Sequence, residues 1–296
     1  GDGEATGGGI ALHKGTLYVS SGFGVLSAFD AKSGQARWRQ ELDSTGSGTP
    51  TVVDNYVYLI AGDDTGWALS ADTGRILWQV SATPSAANVL GAPAPVIASD
   101  LAVFSFGSGD VVATFKRGGL RRWDASVSGR RVGSASARIL DVTGSPLVVG
   151  NKIVTGNHSG RTVAMDAVTG QRIWTQNEGA LGQLWPAGDS LFSVTDTNHL
   201  ARLAQSDGEV IWKVELPGFV KSKPGKRSEI FAHYGPIVAG SQIVLASNDG
   251  LLRFFAPQDG SLTRTVEVPD GATSAPVVAG GTLYVVSTKG ELHAFR

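Results

Sequence analysis

The chain has 296 residues, enough for one large β domain or two ordinary ones, with 40 Gly and a 42% hydrophobic share that excludes a disordered chain. The formal net charge of −1 lacks the basic excess of a protein that grips nucleic acid through its phosphates. The absence of Cys excludes disulfides, thiolate metal sites and a Cys nucleophile, and no apolar run approaches the roughly 18 residues that span a bilayer.

The predicted elements come as a repeat, which is read before anything else because its period decides the architecture. Units run over about 7–44, 48–84, 91–129, 144–180, 184–217 and 235–268, with a shorter seventh at 273–296. Ala28-Phe29-Asp30-Ala31-Lys32-Ser33-Gly34-Gln35-Ala36-Arg37-Trp38 returns as Ala68 to Trp78 and as Ala164 to Trp174. Weaker copies run from Ala113 to Trp123 and from Arg202 to Trp212, and in the copy from Phe254 Arg264 stands in the Trp place. Upstream of each copy comes a Pro-led apolar run, such as Pro50-Thr51-Val52-Val53 or Pro146-Leu147-Val148-Val149, then a turn and a second apolar run. Short β-branched and aromatic segments between Gly, Asn, Asp and Ser predict strands joined by tight turns. No stretch shows a sustained helical period.

The fold expected is therefore all-β: a single β-propeller domain over 1–296, built of four-stranded antiparallel blades, seven of them visible. One blade cannot bury both its faces, so blades stack and each covers the next. The Ser/Thr-Gly pair falls where the third strand turns into the fourth. Trp38, Trp78, Trp123, Trp174 and Trp212 are expected to be structural, each wedging against the following blade; stacking on a ligand is the alternative. The seventh unit stops at the end of its third strand, and Gly1 to Thr6 is too short and polar to supply a fourth. Sequence upstream of Gly1 is expected to close the ring, in keeping with a chain that begins without Met or a signal peptide.

No catalytic or metal constellation stands out. His13, His158, His199, His233 and His293 are scattered, and the Gly-rich stretches 107–110 and 156–160 precede strands rather than helices, so hairpin turns explain them. Arg117, Arg121, Arg122, Arg130, Arg131 and Arg138 form one basic run, and Lys221, Lys223, Lys226 and Arg227 another. Both read as solvated faces, with an acidic partner or an anionic membrane surface as the alternative.

The Ala-x-Asp-x-x-Thr-Gly-x-x-x-Trp units resemble the pyrroloquinoline-quinone-type propeller repeat over nearly the whole chain. Within that repeat, Gly91 to Val96, Leu140 to Val149 and Ser274 to Arg296 resemble the BamB family of outer-membrane assembly lipoproteins. Ile230 to Pro236 is similar to the α-proteobacterial version. The resemblance implies an eight-bladed parent whose lipidated Cys and first blade lie upstream of Gly1. It also implies a non-catalytic, monomeric, cofactor-free scaffold in the periplasm, attached to the inner face of the outer membrane by a lipid anchor absent from this chain. Its partner would be the periplasmic domains of BamA, with unfolded outer-membrane proteins as a further partner class.

By the same resemblance, docking falls on two loops. One is Ala87-Asn88-Val89-Leu90 before Gly91, with Leu90 where the family has Arg. The other is Asp141-Val142-Thr143, where Asp141 matches the family's acidic stretch and Thr143 does not; Arg138 lies just upstream. Asp141 reads either as the acceptor for a partner's Arg or Lys or as a turn carboxylate. Val89 and Leu90 read either as an apolar interface or as packing under the ring. Two other functions compete: a quinone-dependent dehydrogenase-like propeller, and a generic peptide-binding propeller using edge-strand pairing.

Overall fold

The computed structural model describes residues 8–44, 48–82, 92–127, 129, 142, 144–219 and 230–296. All regular structure among them is β: seven antiparallel sheets, each a meander of consecutive strands. The chain divides into two units, Gly1–Asn177 and Glu178–Arg296.

The first unit holds four sheets. Sheet one is β1 (Gly8–His13), β2 (Thr16–Ser21), β3 (Val25–Asp30) and β4 (Ala36–Glu41). Sheet two is β5 (Thr51–Val53), β6 (Tyr56–Ile60), β7 (Thr65–Ser70) and β8 (Ile76–Ser81). Sheet three is β9 (Val96–Ala98), β10 (Leu101–Ser105), β11 (Asp110–Phe115) and β12 (Arg121–Ser126). Sheet four is β13 (Leu147–Val149), β14 (Lys152–Gly156), β15 (Thr162–Asp166) and β16 (Arg172–Gln176).

The second unit holds three. Sheet five is β17 (Trp185–Ala187), β18 (Ser190–Val194), β19 (His199–Ala204) and β20 (Val210–Glu215). Sheet six is β21 (His233–Ala239), β22 (Gln242–Ser247), β23 (Leu251–Phe255) and β24 (Leu262–Glu267). Sheet seven has three strands: β25 (Val277–Ala279), β26 (Thr282–Val286) and β27 (Leu292–Phe295). These are the blades of a β-propeller. Each of the seven repeats forms one sheet; sheet six starts at His233 because His233 and Tyr234 pair with Ser247 and Ala246 ahead of a register shift.

Instead of one centre, the core is a series of layers between neighbouring sheets. Leu26, Ala28, Val57, Leu59 and Leu69 fill the seam between sheets one and two. Tyr58, Ile60, Phe104 and Val112 fill the next, and Val103, Val111, Ile153 and Val163 the one between sheets three and four. In the second unit Phe192, Leu200, Ile243 and Phe255 pack between sheets five and six, and Val244, Leu252, Leu283 and Val285 between six and seven. Middle strands are accordingly buried on both faces, as in β10, while a fourth strand such as β20 alternates exposed and half-buried residues. That is the burial a two-sided stack requires.

The repeat motif is a cross-strand device. Ala28, Ala68, Ala113 and Ala164 sit directly opposite Trp38, Trp78, Trp123 and Trp174, each pair followed by a register shift. A methyl opposite the indole leaves room for the ring to lie over the sheet and reach the next one. In sheet five Arg202 stands there instead and donates to the same Pro257 carbonyl as Trp212. Trp38 Nε1–H donates to the Ala71 carbonyl at 2.9 Å, Trp123 to that of Ala167 at 3.0 Å and Trp212 to that of Pro257 at 3.0 Å. The ring lands on the next sheet's turn glycine: a Cβ on Gly170 would lie 2.6 Å from Trp123 Cδ2. Gly170 also has φ +71°, so glycine is required there both for backbone and for space.

Candidate functional site

The two loops singled out by sequence join strand four of one sheet to strand one of the next. Asn88, Val89, Leu90, Arg138, Asp141 and Thr143 all lie outside the described residues. Their flanks are described, and these fix where the loops emerge. Ser145 Oγ accepts a hydrogen bond from Ala94 N–H at 2.9 Å, tying the entry to β13 to the entry to β9. Val142, between Asp141 and Thr143, is fully buried against Val127, Ile153 and Val163. Asn157 Nδ2 donates to the Val127 carbonyl at 2.9 Å, and Ser159 Oγ donates to that of Gly129 at 3.0 Å. Apolar burial and side-chain-to-backbone bonds thus fix the described flanks of the two segments at sheets three and four.

Of the two basic runs, Arg117, Arg121 and Arg122 are described and exposed, at the turn between β11 and β12. Arg130, Arg131 and the whole 221–227 run lie outside the described residues. Among the described residues no His, Asp and Glu side chains gather as a metal site would require.

A second surface was not anticipated from sequence. In the second unit Leu181, Trp185, Tyr234, Pro236, Pro276 and Val277 line an open groove of about 340 Å³ along the first strands of sheets five, six and seven. It is mostly apolar: Trp185 is 36% and Val277 61% exposed. The signal was present, because Trp185 is one of two Trp residues that miss the repeat position; the other, Trp67, is buried between sheets one and two.

His233 also lines the groove. Its Nε2–H donates to the Pro217 carbonyl at 2.8 Å, and Ser247 Oγ donates to Nδ1 at 2.5 Å while itself accepting from Arg253 Nη1 at 3.0 Å. That network fixes the neutral tautomer. Burial pushes the His233 pKa down, and the Arg253 cation adds to the fall, against the opposing influence of Pro217 and Asp249. Asp249 forms a buried ion pair with Arg253, so no uncompensated charge remains beside the ring. The imidazole is a structural support, holding the entry to β21 against the chain at Pro217.

Known proteins share both the repeat and the fold. The family described as outer membrane protein assembly factor BamB matches residues 2–214 and 188–296. The outer membrane protein assembly factor BamB of Shewanella oneidensis is 25% identical over 286 residues, 96% of this chain and 69% of that protein. The crystal structure of BamB from Moraxella catarrhalis superposes with a TM-score of 0.83 at 20% identity, covering 98% of this chain and 84% of that one. A europium-containing methanol dehydrogenase shares the fold more loosely, with a TM-score of 0.71 at 12% identity over 97% of this chain and 77% of the enzyme. Fold alone is common to binding and catalytic members of this architecture, whereas the family match spans the length of the chain: it belongs to the outer membrane protein assembly factor BamB family.

Proposed function

We propose that this chain is a non-catalytic scaffold in outer-membrane β-barrel assembly, acting on the periplasmic side of the outer membrane and docking the periplasmic domains of BamA. The observation that carries the reading is the family match, and the bond between Ala94 and Ser145 and the buried Val142, which flank the two segments, support it. Asp141 is the anionic contact of the proposed interface, with Thr143 and Arg138 as further polar contacts, Val89 and Leu90 as its apolar flank and Asn88 as a polar neighbour of that flank. With Leu90 where the family has Arg, the interface would rest more on apolar contact and on the Asp141 charge.

Calorimetric titration with the soluble periplasmic domains of BamA tests this. Micromolar or tighter binding is expected, weakened at least about tenfold, or about 1.4 kcal/mol, by Asp141→Arg. A folded chain that does not bind would sink the reading. Stoichiometric uptake of pyrroloquinoline quinone in a visible-absorbance titration, with substrate-dependent dye reduction, would favour the dehydrogenase alternative instead.

The groove at Trp185, Pro236 and Val277 supports unfolded outer-membrane proteins as a second partner class. It is apolar and borders β17, β21 and β25, each at the edge of its sheet. An extended segment with alternating apolar residues suits such an edge.

A further inference from the structure

A repeat protein supplies its own controls, because the same turn is built six times. Between strands three and four, the first turn position is Asp30, Ser70, Asp166, Ala204 or Ala256, but Phe115 in sheet three. The residue after the turn glycine is Gln35, Arg75, Gln171, Glu209 or Ser261, but Leu120 in sheet three. The other five turns place a polar or small residue at both positions. Only the sheet-three turn places large apolar groups there, and Leu120 is 71% and Phe115 37% exposed.

Charge departs in the same place. Residues 115–122 carry Lys116, Arg117, Arg121 and Arg122 and no carboxylate, whereas each of the other five turns contains at least one Asp or Glu. In sheet one Arg37 donates to Asp30 Oδ2 at 2.7 Å; the corresponding pair in sheet three is Arg122 and Phe115, so the cation has lost its partner. Lys116 pairs with Asp54 at 3.4 Å, and Arg121 donates to the Ser81 carbonyl at 3.0 Å. Asp100 lies in the adjoining turn, its carbonyl accepting from Lys116 N–H at 3.0 Å. Among the described residues Arg117 and Arg122 have no ion-pair partner, and both are exposed.

The backbone of the turn is nonetheless ordinary. Phe115 N–H donates to the Leu120 carbonyl at 2.9 Å, and Gly119 N–H to that of Phe115 at 2.9 Å, the same bonds that Asp30 and Gly34 make in sheet one. The departure therefore is confined to side chains. Packing does not explain it either, because the seam position next to it is filled by Trp78 lying on Gly119.

We propose that the Phe115–Arg122 turn is a contact for a membrane surface bearing anionic phospholipid. Leu120 and Phe115 enter the boundary between headgroups and acyl chains, while Arg117 and Arg122 meet lipid phosphates. An acidic protein would account for the cations but not for two exposed apolar side chains on the same turn. A turn of eight residues is also far smaller than the roughly 800 Å² per side of a stable protein interface. A lipid surface needs neither a matching shape nor a large area, and aliphatic stems of Arg run along apolar surface with the charge at the headgroups. The inference is independent of the BamA reading, since it concerns a different segment and a different ligand.

The test is flotation of the 296-residue chain with vesicles of pure phosphatidylcholine or of phosphatidylcholine enriched in phosphatidylglycerol. Binding to the phosphatidylglycerol vesicles alone is expected, and it should weaken with added salt. R117Q/R122Q should reduce partition about tenfold or more, and F115D/L120Q, which restores repeat-like polarity, by a comparable factor. Arg117, Arg122 and Leu120 are well exposed, whereas Phe115 is 37% exposed at the end of β11. Thermal unfolding is therefore followed for each variant, and L120Q alone, with a smaller loss of partition expected, replaces F115D/L120Q if the latter unfolds. No binding to either vesicle, or equal partition of wild type and F115D/L120Q, would overturn the proposal. So would binding to soluble polyglutamate that R117Q/R122Q abolishes while vesicles are ignored; that result would assign the turn to an acidic protein.

Discussion

The pair Ala113 and Trp123 in sheet three and the pair Phe254 and Arg264 in sheet six occupy the same register, directly opposite each other across strands three and four. In the first the small residue makes room and the indole reaches over to Gly170. In the second the sizes are exchanged. The aromatic ring sits on strand three, and the Arg264 guanidinium lies over it, 3.9 Å from the ring centroid. Read along the chain, Arg264 looks like decay of the motif; read across the sheet, it is a compensated exchange. The unit under constraint is the cross-strand pair. Its reach differs, however: the Trp links two sheets, whereas Arg264 packs on Phe254 of its own sheet.

That difference predicts unequal losses. Trp123→Ala removes a buried ring that fills a seam and should cost about 3–5 kcal/mol in urea unfolding. Arg264→Ala removes a cation–π contact at a more open site and should cost about 1 kcal/mol or less. Equal costs would break the comparison, since they would mean that the ring's contact with the next sheet contributes nothing beyond its own sheet.

The glycine side of the seam separates space from backbone. Gly170 and Gly34 have nearly the same conformation, φ +71° and +73°, but a Cβ on Gly34 meets nothing within 4 Å. Gly34→Ala should therefore cost only the left-handed penalty, about 1 kcal/mol. Gly170→Ala adds overlap with the Trp123 ring and should cost about 2–3 kcal/mol. If the two variants unfold at the same denaturant concentration, the indole does not press on the turn.

The smallest effect concerns the support beneath the groove. His233 has its pKa lowered by burial, so folding favours the neutral ring. Stability from this source is fully present above the ordinary value of 6.5 and is lost as pH falls through the folded value. Unfolding followed across that range should show a decline on acidification that His233→Gln removes. A decline unaltered in the variant would place the titrating group elsewhere. In sheet one Asp30 is also lowered, but there the charged form is the one favoured: the Arg37 side chain, then Ser33, holds its carboxyl far below the usual range, so it stays ionised throughout that window.

Much of this molecule was legible along the chain. Turn glycines, Pro-led first strands and two-residue alternation are local signals, written within about ten residues of one another, and the repeat multiplied them. The tryptophan at the head of strand four was visible for the same reason. What the sequence hid was every relation across strands or sheets: why Ala28 precedes Trp38 at that distance, why Arg264 tolerates the loss of Trp, and why Trp185, Pro236 and Val277 share a groove although 92 residues of chain separate the first from the last. Neighbours of that kind are set by strand register and by the stacking of sheets, which depend on pairings far apart in the chain. The sequence by itself determined the blade, because tight turns and alternation act locally. Only the tertiary structure decided which side chains meet at the seams and along the first strands, because those contacts exist only once one blade lies against another.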